Sequence, residues 1–374
     1  MSTPVFEEFA GLRQQSLMYI KNAKEAGQKV VGIYCSFCPQ ELVLAAGAIP
    51  VGLCGTREEP IAAAEEHLPR NLCPLIKSSY GFAVSDTCPF FHFSDLIIGE
   101  TTCDGKKKMF ELLQRIKPVH VMQLPHLSSP AAMTLWVEEI GRLRSWLESE
   151  LDVQISDDAL WQAIDMVNKE TQATKALCDL NQQDPPPLTG IELLTVTWSK
   201  AFGTDKGEVV SMMESLSRGA GSQTVNPAVR ARVLLTGCPV GLGSEKVITL
   251  VEELGARVVA MENCSSYKAL ELLTPCDEPD PIKALAQKYI RIPCSCMSPN
   301  EYRLELLERM VGQFSVDAVI DLTWQACHTY NIEAMKVSEL VKSLGLPYLH
   351  LESDYSGSDL ESLKLRIEAL LEMV

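Results

Sequence analysis

Apolar and polar positions along the chain switch between a helical and a strand period, and the switches fall at regular intervals. Residues 5–26 place Phe6, Phe9, Leu12, Leu17 and Ile20 at helical spacing. Gly27 can close that helix. Residues 30–34 then form a short, wholly apolar run typical of a buried strand, ending at Cys35. A helix is predicted over 39–46, with a proline in its first turn. Gly47 closes it, and residues 49–53 form a second strand that ends at Cys54.

The same order returns. Residues 95–99 read as a strand, followed by Thr101, Thr102 and Cys103. Asp104 is placed to cap a helix carrying Met109, Phe110, Leu112 and Leu113. A further strand is predicted over 119–124. From about 131 to 226 helices dominate: 136–147, 157–180 and 189–202, with Asp184-Pro185-Pro186-Pro187 as a break. Strand patterns resume at 233–236, leading into Gly237-Cys238-Pro239, then at 257–261 before Cys264. A helix over 245–254, closed by Gly255, joins these two. Residues 317–322 form a strand shortly before Cys327, and 347–351 form the last, before Glu352 and Asp354. An amphipathic helix over 359–373 ends the sequence.

Strands that alternate with helices imply parallel sheets covered by helices on both faces. The expected class is α/β, with two doubly wound parallel-sheet (Rossmann-like) domains at residues 1–130 and 229–374. Residues 131–228 are expected to form a mainly helical connecting region. The 374 residues suit two domains of ordinary size. Aromatics are only 6% of a chain that is 46% hydrophobic, so the core is aliphatic, as layered α/β packing favours.

Charge narrows the function. Lys and Arg number 33 against 49 Asp and Glu, a net charge of −16. Such a chain repels nucleic acid and anionic membranes, so neither is an expected partner. The run Lys106-Lys107-Lys108 reads as the solvated first turn of a helix. The N-terminus lacks a basic start followed by an apolar stretch, and no apolar run is long enough to span a bilayer. A cytoplasmic location is expected.

Thirteen cysteines are the unusual feature. Cytosolic thiols stay reduced and the count is odd, so a disulfide framework is disfavoured. Cys35, Cys54, Cys103, Cys238, Cys264 and Cys327 all fall at or just beyond predicted strand ends. That is where open parallel sheets bind ligands. Cys178, inside a helical run, reads as core filler, and Cys276, in an acidic proline-containing loop, as incidental. Zinc sites favour paired, closely spaced ligands. Cys35 and Cys38 form one such pair, and Cys294 and Cys296 a tighter one. The other thiols are dispersed, which suits iron–sulfur ligation as well or better; spacing alone leaves both metals open. The glycine-rich segment Gly237–Gly243 lacks the Gly-Lys-Ser/Thr ending of a phosphate loop and reads as a tight strand–helix turn. No Gly-x-Ser-x-Gly elbow occurs. Cys327-His328 leaves a cysteine-nucleophile enzyme as a minor alternative.

Several of these segments resemble one family. They are Tyr34-Cys35-Ser36-Phe37-Cys38-Pro39-Gln40-Glu41-Leu42, with Ala45 to Val51 following, then Leu72-Cys73-Pro74 through Ser78 to Gly81, and Thr102-Cys103-Asp104-Gly105. The second half adds Pro293-Cys294-Ser295-Cys296, Trp324-Gln325-Ala326-Cys327-His328 and Glu352-Ser353-Asp354-Tyr355. Together they resemble the D-component family of 2-hydroxyacyl-CoA dehydratases across nearly the whole chain. The resemblance implies two α/β domains around an oxygen-sensitive iron–sulfur cluster. It also implies a separate ATP-hydrolysing iron–sulfur activator that delivers a low-potential electron. In the dehydratases that electron makes a ketyl radical from a 2-hydroxyacyl-CoA thioester, and hydroxide leaves.

The surplus of cysteines is most similar to the double-cubane branch of the family, which are homodimers that reduce small molecules. On that likeness the cofactor is an 8Fe-9S double cubane, with a 4Fe-4S cluster as the alternative. The implied ligands are Cys35, Cys73, Cys103, Cys264, Cys294 and Cys327. The choices of Cys35 over Cys38, Cys294 over Cys296, and Cys264 over Cys54 stay open. Glu41, Ser78, His126 and His328 are implied as sources of protons or hydrogen bonds near the cluster, the catalytic set being Glu41, Ser78 and His328. An acidic surround is expected to lower the cluster potential. The expected function is an activator-dependent reductase. A dehydratase subunit and a non-catalytic cluster- or metal-binding module are the alternatives.

Overall fold

The computed structural model describes residues 4–220 and 229–374. The start of the chain and the end of the helical section lie outside the described residues. Two four-stranded parallel sheets organise the rest. The first contains β1 (Val30–Ile33), β2 (Ile49–Gly52), β3 (Leu96–Glu100) and β4 (Val119–Met122). The second contains β5 (Arg232–Gly237), β6 (Arg257–Glu262), β7 (Ala318–Trp324) and β8 (Tyr348–Ser353). Their spatial orders are β2-β1-β3-β4 and β6-β5-β7-β8, so the halves share one topology. In each, the order reverses between the two central strands, β1 and β3 or β5 and β7. That reversal opens the crevice in which doubly wound sheets bind ligands.

The central strands are apolar because helices cover both faces. β3, β5, β6 and β7 are buried along their whole length, whereas the edge strands β4 and β8 are partly exposed. Alternation assigns successive residues to opposite faces. Val30 and Ile97 enter a core that continues through the second sheet. Val31 and Ile98 enter another, with Trp136 and Ile140 of the helix Pro130–Leu151 and with Leu285 and Tyr289 from the second half. Both cores therefore contain residues of both halves.

The helical section binds the halves together. The helix Asp157–Asp179 packs on the helix Gln40–Ala45 of the first half. It also holds the second half, where the Asn168 side chain donates to Thr274 O at 2.9 Å and accepts from Thr274 N at 2.9 Å. The helix Gly190–Ser199 starts from a capping box between Thr189 and Glu192 and packs on both the helix Pro4–Glu25 and β6. Direct bonds between the halves include Thr56 Oγ1 to Leu242 O (3.0 Å), Tyr355 OH to Gly55 O (3.2 Å) and Ser298 N to His126 O (2.9 Å). Among the described residues, no helix is long and apolar enough to cross a membrane.

Two local expectations are corrected. The helix Asp104–Leu113 is capped by Cys103, whose sulfur accepts from Lys106 N at 3.5 Å; Asp104 is instead its first residue. The lysine run is not uniformly solvated either. Lys107 and Lys108 are exposed and pair with Asp104 and Glu111, but Lys106 is buried. The glycine-rich segment is a tight turn whose glycines serve close packing. A Cβ on Gly241 would lie 2.3 Å from Trp198 Nε1, and one on Gly237 would lie 2.2 Å from Leu322 O.

Gly237 also has a φ of +111°, a conformation that L residues rarely adopt. Gly237→Ala is therefore expected to lower stability by at least about 1–3 kcal/mol from backbone strain alone, with the clash adding to it. A thermal melt checks this, and an unchanged midpoint would contradict the packing described.

Candidate functional site

A cavity of ≈ 1220 Å³ lies where the carboxyl ends of both sheets meet. Ten of the thirteen cysteines line it. The other three are Cys88, Cys178, buried in the helix Asp157–Asp179, and Cys276, exposed in a loop. All thirteen are free thiols.

The topology explains the convergence. Cys35 and Cys38 follow β1, Cys54 follows β2 and Cys103 follows β3. In the second half Cys238 follows β5, Cys264 follows β6 and Cys327 follows β7. Cys73 and Cys294 occupy the corresponding connections, β2 to β3 and β6 to β7. Three of these cysteines also occupy N-cap positions, Cys73 before Pro74–Val84, Cys103 before Asp104–Leu113 and Cys327 before His328–Ser343, and the sulfur of Cys103 accepts a cap bond. Backbone N–H groups and the helix dipole there favour a negative sulfur.

The thiols form two neighbouring groups, each of which crosses the interface, and the groups meet where Cys294 comes within reach of Cys327. Cys35 stands within electrostatic reach of Cys264 and Cys294, and Cys296 reaches both Cys294 and Cys35. Cys73 and Cys103 stand within reach of Cys327, which hydrogen-bonds Cys238. Cys54 donates to Tyr34 O at 2.8 Å and reaches Cys264. Cys238, absent from the expected ligand set, accepts from Trp324 N at 3.3 Å. Its place beyond β5 was the available signal for it.

Burial pushes most of these thiols up, Cys73 and Cys264 to about 12. Cys294 moves the other way, to about 6, chiefly because Cys296 donates to it, with Lys268 and Tyr330 adding to the effect. Cys327 is lowered chiefly by its bond from Cys238. A buried set of thiols is costly to ionise unless positive charge is supplied, and a coordinated metal does that outright. Soft sulfur donors suit iron–sulfur clusters, zinc or copper(I). Among the described residues, no three His, Cys, Asp or Glu side chains are gathered as a single ion needs. The ten thiols that line the cavity supply soft donors in the number a polynuclear group needs. The residues present thus fit a polynuclear iron–sulfur group.

The cavity wall is more cationic than the chain's net charge suggested. Lys106, Lys200, Lys206 and Lys288 all line it, which corrects the expectation of an acidic surround. Lys106 Nζ pairs with the buried carboxylate of Glu100 and lies 3.4 Å from Tyr34 O. Burial alone would lower its pKa, but Cys35, Glu100 and Cys54 hold the ammonium well above its ordinary value.

Of the four expected polar residues, two reach the cavity. His328 lines it as the first residue of its helix. His126 also lines it, held at φ +56° with Nε2 2.7 Å from Thr101 O. Glu41 and Ser78 are placed behind the wall. Glu41 is fully buried, accepting from Lys288 Nζ at 2.9 Å and from Tyr289 OH at 2.6 Å. Ser78 Oγ accepts from Arg57 N at 3.3 Å and steadies the loop after β2.

Fold and site together define a two-domain α/β protein that closes the strand ends of both halves around a shared, thiol-lined chamber. The family model of the 2-hydroxyglutaryl-CoA dehydratase D-component matches residues 35–374, and the chain belongs to that family. It is 44% identical to the “Putative dehydratase subunit YjiM” of Escherichia coli (strain K12), over 99% of this chain and 98% of that one. It is 23% identical to the (R)-phenyllactyl-CoA dehydratase beta subunit of Clostridium sporogenes, over 99% of each chain. With the (R)-2-hydroxyglutaryl-CoA dehydratase subunit beta of Acidaminococcus fermentans the identity is 20%, over 98% of each.

Glu41→Leu should leave the Lys288 ammonium buried without a partner. A loss of about 3–5 kcal/mol is expected, read as a fall in the melting temperature. A melting temperature equal to that of the native protein would contradict a supporting role for this ion pair.

Proposed function

We propose that this chain is the cluster-bearing component of a two-part reductase. It accepts low-potential electrons from a separate ATP-hydrolysing iron–sulfur activator and reduces a small molecule in the cavity. The observation that carries this reading is the convergence of ten thiols on one cavity in two sets, each drawn from both halves. The group proposed is an 8Fe-9S double cubane, which would supply electron transfer at low potential. Cys35, Cys264 and Cys294 would hold one cubane, and Cys73, Cys103 and Cys327 the other.

The protein's own residues then have definite tasks. The helix N-termini at Cys73, Cys103 and Cys327 favour negative sulfur. Lys106 brings a positive charge beside Cys35 and Cys54. Tyr330 OH lies 4.0 Å from Cys294 Sγ and can donate to it. His328 lines the chamber and can deliver a proton there. Glu41 and Ser78 act as positioning residues, fixing Lys288 and the loop after β2. The assembly proposed is a cytoplasmic homodimer.

A second reading is a 2-hydroxyacyl-CoA dehydratase subunit carrying one 4Fe-4S cluster, paired with a different subunit and acting on an acyl-CoA. The names of the family and of its relatives favour it.

Single alanine substitutions test the ligand assignment. Anaerobically purified Cys103→Ala and Cys327→Ala should lose much of their bound iron and all activator-dependent turnover, whereas Cys178→Ala and Cys276→Ala should keep both. Full iron retention in the first pair would refute the assignment.

A further inference from the structure

Behind the chamber wall of the second half lies a charge cluster that sulfur ligation does not require. Glu262, Lys268 and Arg303 are each fully buried there. Glu262 ends β6, and Lys268 lies in the short helix Tyr267–Leu270 that follows Cys264. Arg303 Nε donates to Glu262 Oε2 at 3.2 Å, and Arg303 Nη1 pairs with Glu333. Lys268 Nζ stands 3.3 Å from Glu262 Oε1, an ion pair without hydrogen-bond alignment, since that oxygen accepts no hydrogen bond. Two cations thus face two carboxylates. Apolar side chains of similar volume would fill such a space at no greater cost, so the fold gains little from the charges themselves.

The hydrogen bonds of Lys268 point elsewhere. Its Nζ donates to Gly237 O at 3.1 Å, at the end of β5, and to the hydroxyl of Tyr330. Lys268 Nζ lies 4.4 Å from the centroid of the Tyr330 ring, and the Arg303 guanidinium lies 4.9 Å from it. Tyr330 is buried, lines the cavity and sits three residues after Cys327. Its hydroxyl is 4.0 Å from Cys294 Sγ. Tyr330 therefore has cations behind it and sulfur in front.

That placement fixes the direction of the hydroxyl hydrogen. A lysine ammonium has donors only, so the Tyr330 oxygen accepts from Lys268. The single phenol hydrogen is then turned away from Lys268. Among the described residues, the Cys294 sulfur is the other hydrogen-bonding partner of that hydroxyl. Hydrogen bonds to cluster sulfur and nearby charge both tune reduction potential. A donor and a buried positive charge each favour the more negative, reduced state.

We propose that Lys268 is a positioning residue of the chamber. By donating to the Tyr330 hydroxyl it aims the phenol hydrogen at Cys294 Sγ, and this raises the reduction potential of the group that Cys294 holds. The inference rests on the proposed function in taking Cys294 as a cluster ligand.

The test is a dye-mediated redox titration followed by electron paramagnetic resonance, on anaerobically purified native protein, Tyr330→Phe, Lys268→Met and the double variant. Iron content and melting temperature are measured on the same samples. At a fixed potential the reduced-to-oxidised ratio should fall at least about threefold in Tyr330→Phe, as the loss of one modest hydrogen bond requires. It should fall further in Lys268→Met, which also removes the charge. In the Lys268→Met background, adding Tyr330→Phe should move the ratio less than it does in the native chain. An unmoved potential in Tyr330→Phe, with or without a lower melting temperature, would reduce the pair to packing and overturn the inference. Equal effects of Tyr330→Phe in the two backgrounds would leave Lys268 acting by charge alone and overturn its positioning role. Either result at full iron content leaves the cluster reading intact. Iron-free native protein would reject that reading, and the bond is then read from iodoacetamide alkylation of Cys294 at neutral pH, mapped by mass spectrometry. Slower alkylation in Tyr330→Phe would support the bond, and an equal rate would overturn it.

Discussion

Ten thiols set around one cavity are the constraint on which the rest of the structure depends. Buried sulfur resists ionisation, so such a chamber is poorly suited to bare thiolates and well suited to a metal group that supplies positive charge. Each feature around it eases the same problem. Helices start at Cys73, Cys103 and Cys327, and Lys106 is buried beside Cys35 and Cys54. Neither half can hold the two thiol sets alone, because each set takes members from both.

That division explains why the halves are fastened so firmly. The strand ends must face each other at a fixed separation for the sets to form. Glu41 bonds across the interface to Lys288 and Tyr289, Asn168 clasps Thr274, and Ser298 N reaches His126 O. Both hydrophobic cores run through the two halves. The helical section is thus part of the chamber as well as a link, giving it a wall with its own charge pattern.

Much of this was legible in the sequence. Short apolar runs between glycine-closed helices marked the strands, and their ends carried Cys35, Cys54, Cys103, Cys238, Cys264 and Cys327 toward one edge of each sheet. What resisted reading depends on direction and on domain placement. Successive helical residues point about 100° apart, so Lys106 turns inward while Lys107 and Lys108 face solvent. The same rotation puts Gln40 on the cavity wall and Glu41 in the interface behind it. Nor could local patterns show that Cys73 sits with Cys327, or Cys35 with Cys264, because these neighbours lie on different halves.

The central claim is that the chamber holds a polynuclear iron–sulfur group. Iron and acid-labile sulfide, measured per chain on protein purified without oxygen, test it most directly. The account predicts about eight irons with slightly more sulfide, as two linked cubanes require. Zinc in place of iron, or no metal at all, would contradict it.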